Sequence, residues 1–307
     1  MLDHPLARLG WRANLTPHLD ALGDPALVAA RVVAVDRGRA VVDDGAHAWS
    51  APLAGRLRRA GAMPATGDFV AVLPDGPVRA VLPRRGVIAR RGDGGRPEVL
   101  AANVDVALLA TSMNRDLNPR RLARFLAITA RGEVEPVVLL TKSDLADDPV
   151  KVADDVRDGV GATPVLTISA RTGVGLAAVR TLLAPRLTAV LLGTSGVGKS
   201  TLLNALLDEE RQATAPIREH DDRGRHTTVR RELVALPGGA LLVDTPGLRL
   251  VAPLEDSDPE IPALQEDKQR AKRERRERER AFHRETYRDM RSRRREREAR
   301  DVNRRRP

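Results

Sequence analysis

From residue 27 to residue 90 the apolar positions come in short runs, each stopped by a turn signal. Ala30-Arg-Val-Val-Ala-Val35 ends in Asp36-Arg-Gly-Arg39, and Ala40-Val-Val42 runs into Asp43-Asp-Gly45. Phe69-Val-Ala-Val-Leu73 and Val78-Arg-Ala-Val-Leu82 flank Pro74-Asp-Gly-Pro77, the composition of a hairpin. Short β-runs spaced by Gly and Pro turns predict a small barrel over 27–92, preceded by an N-terminal extension at 1–26. Arg84-Arg85 and Arg90-Arg91, beside Gly92-Asp-Gly-Gly95, read as an exposed linker.

Near Leu100 the pattern changes. Val104-Asp-Val-Ala-Leu-Leu-Ala-Thr111 and Pro136-Val-Val-Leu-Leu140 are continuous apolar runs, as strands buried on both faces require. Pro164-Val-Leu-Thr-Ile168 and Thr188-Ala-Val-Leu-Leu192 follow. Between the first two, Asn118-Pro-Arg opens a helix that carries Leu122, Phe125, Leu126 and Thr129. Apolar strands alternating with helices predict an α/β domain with a mostly parallel sheet over 100–250. Residues 251–307 turn acidic, then strongly charged, with no Gly or Pro in the last 40 before Pro307. A long polar helix is expected there, with too few apolar positions to bury a face of its own.

Charge sharpens this division. The formal net charge is +10, yet Lys268 to Pro307 alone holds 19 Lys/Arg against 8 Asp/Glu, so the rest of the chain is near neutral. A basic tail on a neutral body predicts an anionic partner such as RNA, held by counterion release. The 307 residues contain no Cys, which excludes disulfides and thiolate metal sites and fits a cytoplasmic location. The N-terminus shows no basic segment followed by an apolar run, and no stretch approaches ~18 apolar residues, so neither a signal peptide nor a membrane span is expected.

The chemistry lies in the α/β half. Gly193-Thr-Ser-Gly-Val-Gly-Lys-Ser200 matches G-x-x-x-x-G-K-[ST] and sits between an apolar strand and the helical run Thr201-Leu-Leu-Asn-Ala-Leu-Leu207. Backbone N–H groups of Gly193, Thr194, Ser195, Gly196, Val197 and Gly198 can cradle phosphates. Lys199 would neutralise the β- and γ-phosphates, the Ser200 hydroxyl would coordinate Mg²⁺, and Thr201 is a further candidate GTP contact. Asp244-Thr-Pro-Gly247 follows the run Ala240-Leu-Leu-Val243. Asp244 is placed to hold Mg²⁺ and Gly247 to bring an N–H to the γ-phosphate. The next residue is Leu248, where many GTPases carry a water-orienting Gln. In Asp221-Asp-Arg-Gly-Arg-His-Thr-Thr228, Thr228 and Thr227 are candidate Mg²⁺ ligands, and His226 is a candidate to orient the attacking water. Loops 213–228 and 244–252 are expected to order around the γ-phosphate.

Base recognition falls to Thr141-Lys-Ser-Asp144, at the end of a buried strand. A carboxylate at Asp144 can accept from guanine N1–H and N2–H₂ together, a pair adenine cannot supply. The Lys142 stem can cover the base, and Ser169-Ala170 can offer a backbone N–H to guanine O6. The residues thus define a Mg²⁺-dependent GTPase that binds GTP and GDP. A P-loop kinase is disfavoured by Asp144 and the D-T-P-G element.

The base motifs, at 141 and 169, precede the phosphate loop at 193, the reverse of the usual small-GTPase order. This permuted order, the β-rich N-terminal part, Gly224-Arg-His-Thr-Thr228, Leu100-Ala-Ala-Asn-Val-Asp105 and Asn114-Arg-Asp-Leu-Asn-Pro-Arg-Arg121 resemble the RsgA (YjeQ) family. The resemblance implies an OB-fold barrel that touches rRNA, followed by a circularly permuted GTPase domain stimulated by the small ribosomal subunit. It implies a role in late maturation of that subunit, binding in the GTP state and release after hydrolysis. Separately from the resemblance, a monomeric chain with no membrane partner is expected. It also maps the family's switch-loop His onto His226. Two departures stand out. Thr141 replaces the family's usual Asn, which braces the phosphate loop, so weaker nucleotide affinity is expected. The usual C-terminal zinc module needs three Cys and a His, and with no Cys present no zinc is expected. The basic tail is then the candidate for RNA contact, and a nucleotide-gated RNA-binding switch independent of the small subunit is the alternative function.

Overall fold

The computed structural model describes residues 4–36, 38–92, 97–113, 117–211 and 231–244. The first of these are packed against the body. A 3₁₀ turn, Pro5–Leu9, is capped by the His4 ring, which accepts the Leu6 N–H, and a short helix α1 (Thr16–Asp20) follows. Leu6, Leu9 and Leu15 are buried with Phe69, Leu82 and Leu241, so this segment closes a core that both halves of the chain share.

Next come β1 (Val28–Asp36), β2 (Arg39–Asp43), β3 (Ala48–Pro52), the short helix α2 (Gly55–Arg59), β4 (Phe69–Val72) and β5 (Val78–Val81). β1 is antiparallel to β2 and to β4, β2 to β3, and β4 to β5. A bridge from Leu53 to Val78 brings the end of β3 against β5, which returns the strand order to its start. The enclosed core is small and aliphatic, built on Ala30, Val32, Ala40, Val42, Val70 and Val72. Small side chains suit a tight cylinder, and the arrangement is that of an OB-type domain.

The second half runs β6 (Ile88–Arg91), β7 (Pro97–Ala101), β8 (Val106–Ser112), α3 (Pro119–Arg131), β9 (Glu135–Thr141), α4 (Pro149–Val160), β10 (Val165–Thr167), α5 (Leu176–Leu182), β11 (Thr188–Leu192), α6 (Lys199–Arg211), β12 (Glu232–Ala235) and β13 (Leu241–Asp244). The sheet order is β10-β9-β8-β11-β13-β12, parallel except for β12. Alternate residues along each strand serve opposite faces. Ala107, Leu109, Val138, Leu140, Val190 and Leu192 pack with Leu122 and Phe125 of α3 and Ala153 of α4. Val106, Leu108, Val137, Leu139, Ala189 and Leu191 pack with Val179 of α5 and Leu202 of α6. That double burial is why the strands read as unbroken apolar runs.

The two halves meet along one continuous sheet, through an Ala34–Glu232 pair between β1 and β12. The segment read as an exposed linker is part of this junction. Arg84 is half-buried and bonds both oxygens of Asp68 at 2.8 and 2.6 Å, and β6 pairs with β7 as a hairpin. Burial, the largest single effect, would lower the Arg84 pKa, but the charge of Asp68 and its hydrogen bonds together outweigh it and the pKa is raised. Asp105, just before β8, takes ion pairs from Arg12 and Arg85 and accepts the Thr188 N–H. The switch-loop candidates and the basic tail lie outside the described residues.

Candidate functional site

The phosphate loop leaves β11 and enters α6. Gly196 and Gly198 have φ of 77° and 102°, values that favour glycine and let successive N–H groups turn to one side. The Lys199 ammonium lies back over the loop and donates to the carbonyls of Gly193 (2.8 Å) and Thr194 (2.7 Å). Burial strips water from it and lowers its pKa, a shift that the Asp244 carboxylate partly opposes. Asp244 therefore stands at the end of β13 within the electrostatic reach of Lys199.

The base-side motifs arrive from β9 and β10, and two of them hold the loop. The Thr141 hydroxyl is buried and donates to the Val197 carbonyl at 2.7 Å. Threonine thus supplies one hydrogen bond of the brace attributed to asparagine. Lys142 adopts a left-handed conformation (φ 57°) and its ammonium donates to the Gly196 carbonyl at 2.6 Å. That conformation turns the chain sharply at the strand end, and the Ser143 N–H then bonds the Ile168 carbonyl, tying the two base motifs together.

Asp144 and Ser169 stand side by side in the lining of a cavity of about 250 Å³, with Lys142, Leu145, Ala170, Arg171, Val197 and Thr201. The Ser169 hydroxyl holds the Asp144 carboxyl below the usual carboxylate range, with help from the backbone N–H of Asp144 itself and from Arg171, against an opposing effect of burial. The carboxylate is therefore an acceptor at neutral pH. Arg171 Nε donates to it at 3.2 Å. The guanidinium stands where a ligand with two N–H donors would bind, and it is largely exposed and able to move aside.

Of the residues singled out in the sequence, the structure brings together 141, 142, 144, 169, 170, the loop 193–201 and Asp244. His226, Thr227, Thr228 and Gly247 lie outside the described residues. Two polar residues at the site escaped the sequence reading. Arg171 could have been flagged as the residue following Ser169-Ala170. Arg121, whose Nη1 lies 3.3 Å from Thr194 Oγ1, is visible only once the strand order sets α3 beside the loop. Among the described residues no group of three or more His, Cys, Asp or Glu gathers at one point. A Mg²⁺ bound mainly by phosphate oxygens and water needs only one or two protein oxygens, and Ser200 and Asp244 are of that type. No helix among the described residues is long and apolar enough to cross a membrane.

Fold and site define a P-loop nucleotide-binding α/β domain whose base motif precedes its phosphate loop. Residues 81–252 match the RsgA GTPase family. The Small ribosomal subunit biogenesis GTPase RsgA of Methanosarcina acetivorans is 48% identical over 207 residues, spanning 65% of this chain and 56% of that protein. Its namesake from Opitutus terrae is 42% identical over 263 residues, spanning 80% and 72%. Among solved structures, YjeQ from Thermotoga maritima superposes with a TM-score of 0.56 at 26% identity, over 75% of this chain and 77% of that one. YloQ, a circularly permuted GTPase, shares the fold, with a TM-score of 0.52 at 22% identity over 76% and 75%. The chain belongs to the RsgA GTPase family. It spans little more than half the length of the Methanosarcina relative and about 70% of the others.

Proposed function

We propose that this protein is a GTP hydrolase that acts in assembly of the small ribosomal subunit. The observation that carries the nucleotide half is the braced geometry around Asp144. An ionised carboxylate backed by Ser169 lines a cavity beside the loop that Lys199 crosses, and Thr141 and Lys142 of the base motif hold that loop directly. A guanine donates two hydrogen bonds to such a carboxylate. The names of the family members, small ribosomal subunit biogenesis GTPases, support the ribosomal half.

In this reading Lys199 neutralises the β- and γ-phosphates and the loop N–H groups cradle them. Ser200, Asp244 and Thr228 would hold Mg²⁺, which supplies charge neutralisation between the phosphates. Gly247 would offer an N–H to the γ-phosphate and His226 would orient the attacking water, in place of the Gln found in many GTPases where this chain has Leu248. Catalysis is mainly electrostatic and positional, so turnover by the chain alone is slow. The basic tail contacts rRNA, and the site of action is the cytoplasm.

The test is GTP turnover by the full chain with and without purified small subunits, at stated salt because RNA association by a basic tail is salt-dependent. Stimulation by subunits is expected. Equal rates would remove the ribosomal partner and leave the GTPase, and a preference for ATP would remove both. His226→Ala should cut turnover by roughly 10²-fold while sparing GTP binding, and unchanged turnover would dismiss the His.

A further inference from the structure

Sheet order reverses between β8 and β11. The chain steps outward from β8 to β10, returns to β11 beside β8, and continues on the other side to β13. α3, which follows β8, packs on one face and α6, which follows β11, on the other. The crevice at the carboxyl ends of strands at such a reversal is where open α/β sheets bind ligands. One wall of it is the phosphate loop. The other wall is the first turn of α3, and it carries Arg121.

Arg121 is held firmly at its backbone. Its N–H donates to the side chain of Asn118, the N-cap, at 3.1 Å, Pro119 starts the helix, and Leu122 and Phe125 are buried. The half-buried side chain reaches the loop, where Nη1 donates to Thr194 Oγ1 at 3.3 Å. The carbonyl of that same Thr194 accepts from Lys199 at 2.7 Å. Two cations from different elements thus converge on one loop residue. The base-side contacts meet the loop elsewhere, at Gly196 and Val197. Arg121 therefore belongs to the phosphate end of the site.

We propose that Arg121 is a further catalytic residue, one that passes from the Thr194 hydroxyl to the terminal phosphate of bound GTP and stabilises the charge developing there. The inference rests on the GTPase reading above. A hydroxyl is a neutral acceptor, whereas a phosphate arriving beside Lys199 is a multiply charged one, and a guanidinium can bond it with two parallel donors. In hydrolysis the water oxygen bonds the γ-phosphorus and the bond to the β–γ bridging oxygen breaks. That electron pair leaves with GDP; of the water's two protons, one remains on the inorganic phosphate and the other passes to solvent. Arg121 stays protonated throughout. Its contribution comes from the same chain, so it is present before any partner binds.

The experiment compares the full chain with Arg121→Ala and Arg121→Lys, in Mg²⁺, by single-turnover GTP hydrolysis and by affinity for GDP and for a non-hydrolysable GTP analogue. Arg121→Ala is expected to slow hydrolysis roughly 10²- to 10³-fold. It should weaken the analogue while GDP affinity stays within about twofold, because GDP lacks the phosphate concerned. Arg121→Lys, which keeps the charge and loses the fork, should recover part of the rate. Hydrolysis within about twofold of the parent overturns the inference. So does a parallel loss of GDP and analogue binding, which would make Arg121 a brace for Thr194. If the parent chain itself neither binds nor hydrolyses GTP, the GTPase reading fails first and takes this one with it.

Discussion

Single residues decide what the site can recognise. Asp144 matters for the two acceptor oxygens it presents together. Asp144→Asn exchanges one of them for an N–H₂ donor, which opposes the guanine N2 amine and suits a base with a carbonyl there. GTP affinity should fall about 100-fold or more, and xanthosine triphosphate should bind better than GTP in the same titration. Lys199 gives the site a pH dependence. Its free-chain pKa lies below that of an ordinary lysine because of burial, partly offset by Asp244, and a bound phosphate favours the charged form and raises it. Affinity for GTP should therefore hold at neutral pH and decline as pH rises through the lowered value, earlier than an unshifted lysine (about 10.4) would allow. A titration of binding between pH 7 and about 10.5 checks this, and a flat profile over that span would contradict it. The motifs at 141, 144, 169 and 193–200 were legible in the sequence because each is a short run whose spacing is set by local backbone geometry. Arg121 was not, because nothing local distinguishes it from its neighbour Arg120.

At the scale of elements, apolar runs and turn signals located β1, β2, β4, β5, β8, β9, β10, β11 and β13, as well as α3. They did not locate β3, β12 or the β6–β7 hairpin. These strands are half exposed and carry charged or small residues, as in Ala48-Trp-Ser-Ala-Pro52, so their identity comes from hydrogen-bonding partners far along the chain. The segment before β6 is an example. Gly86 has a φ of 58°, and a Cβ placed on it would lie 1.8 Å from the Val104 carbonyl oxygen. Its own carbonyl accepts the Val104 N–H at 3.0 Å. Gly86→Ala must therefore break that approach as well as strain the backbone. It should cost about 3 kcal/mol or more, seen as a large drop in the thermal midpoint. A melting curve like the parent's would show that the junction can yield.

Across the whole molecule, a buried arginine holds the barrel to the nucleotide domain. Arg31 is fully buried on β1 and donates to the carbonyls of Leu9, Gly67 and Asn103, with its guanidinium 4.7 Å above the Phe69 ring. Burial lowers its pKa to about 9, against the opposing effects of Asp105 and Asp68, so it stays charged at neutral pH. Replacing a buried ion with an apolar residue can be harmless when its partners are replaced too. Here the acceptors are main-chain carbonyls that no side-chain exchange removes. Arg31→Met should thus destabilise by about 3–5 kcal/mol in denaturant unfolding, and a cost under about 1 kcal/mol would mean that water replaces the guanidinium.

What the sequence determined alone is the set of motifs and their order: Thr141-Lys-Ser-Asp144, then a phosphate loop, then an acidic strand end, with a β-rich part in front and a basic tail behind. Each is encoded by residues close together in the chain, where backbone sterics and hydrophobic period suffice. The tertiary structure decided how these pieces bear on one another. Only the fold sets β12 against β1, ties Arg84 to Asp68 where an exposed linker was expected, and lets a threonine hydroxyl brace Val197. It is also the reversal of strand order between β8 and β11 that brings Arg121 to the phosphate loop. Such contacts join residues tens to hundreds of positions apart, and chain-local patterns carry no information about which distant surfaces will meet.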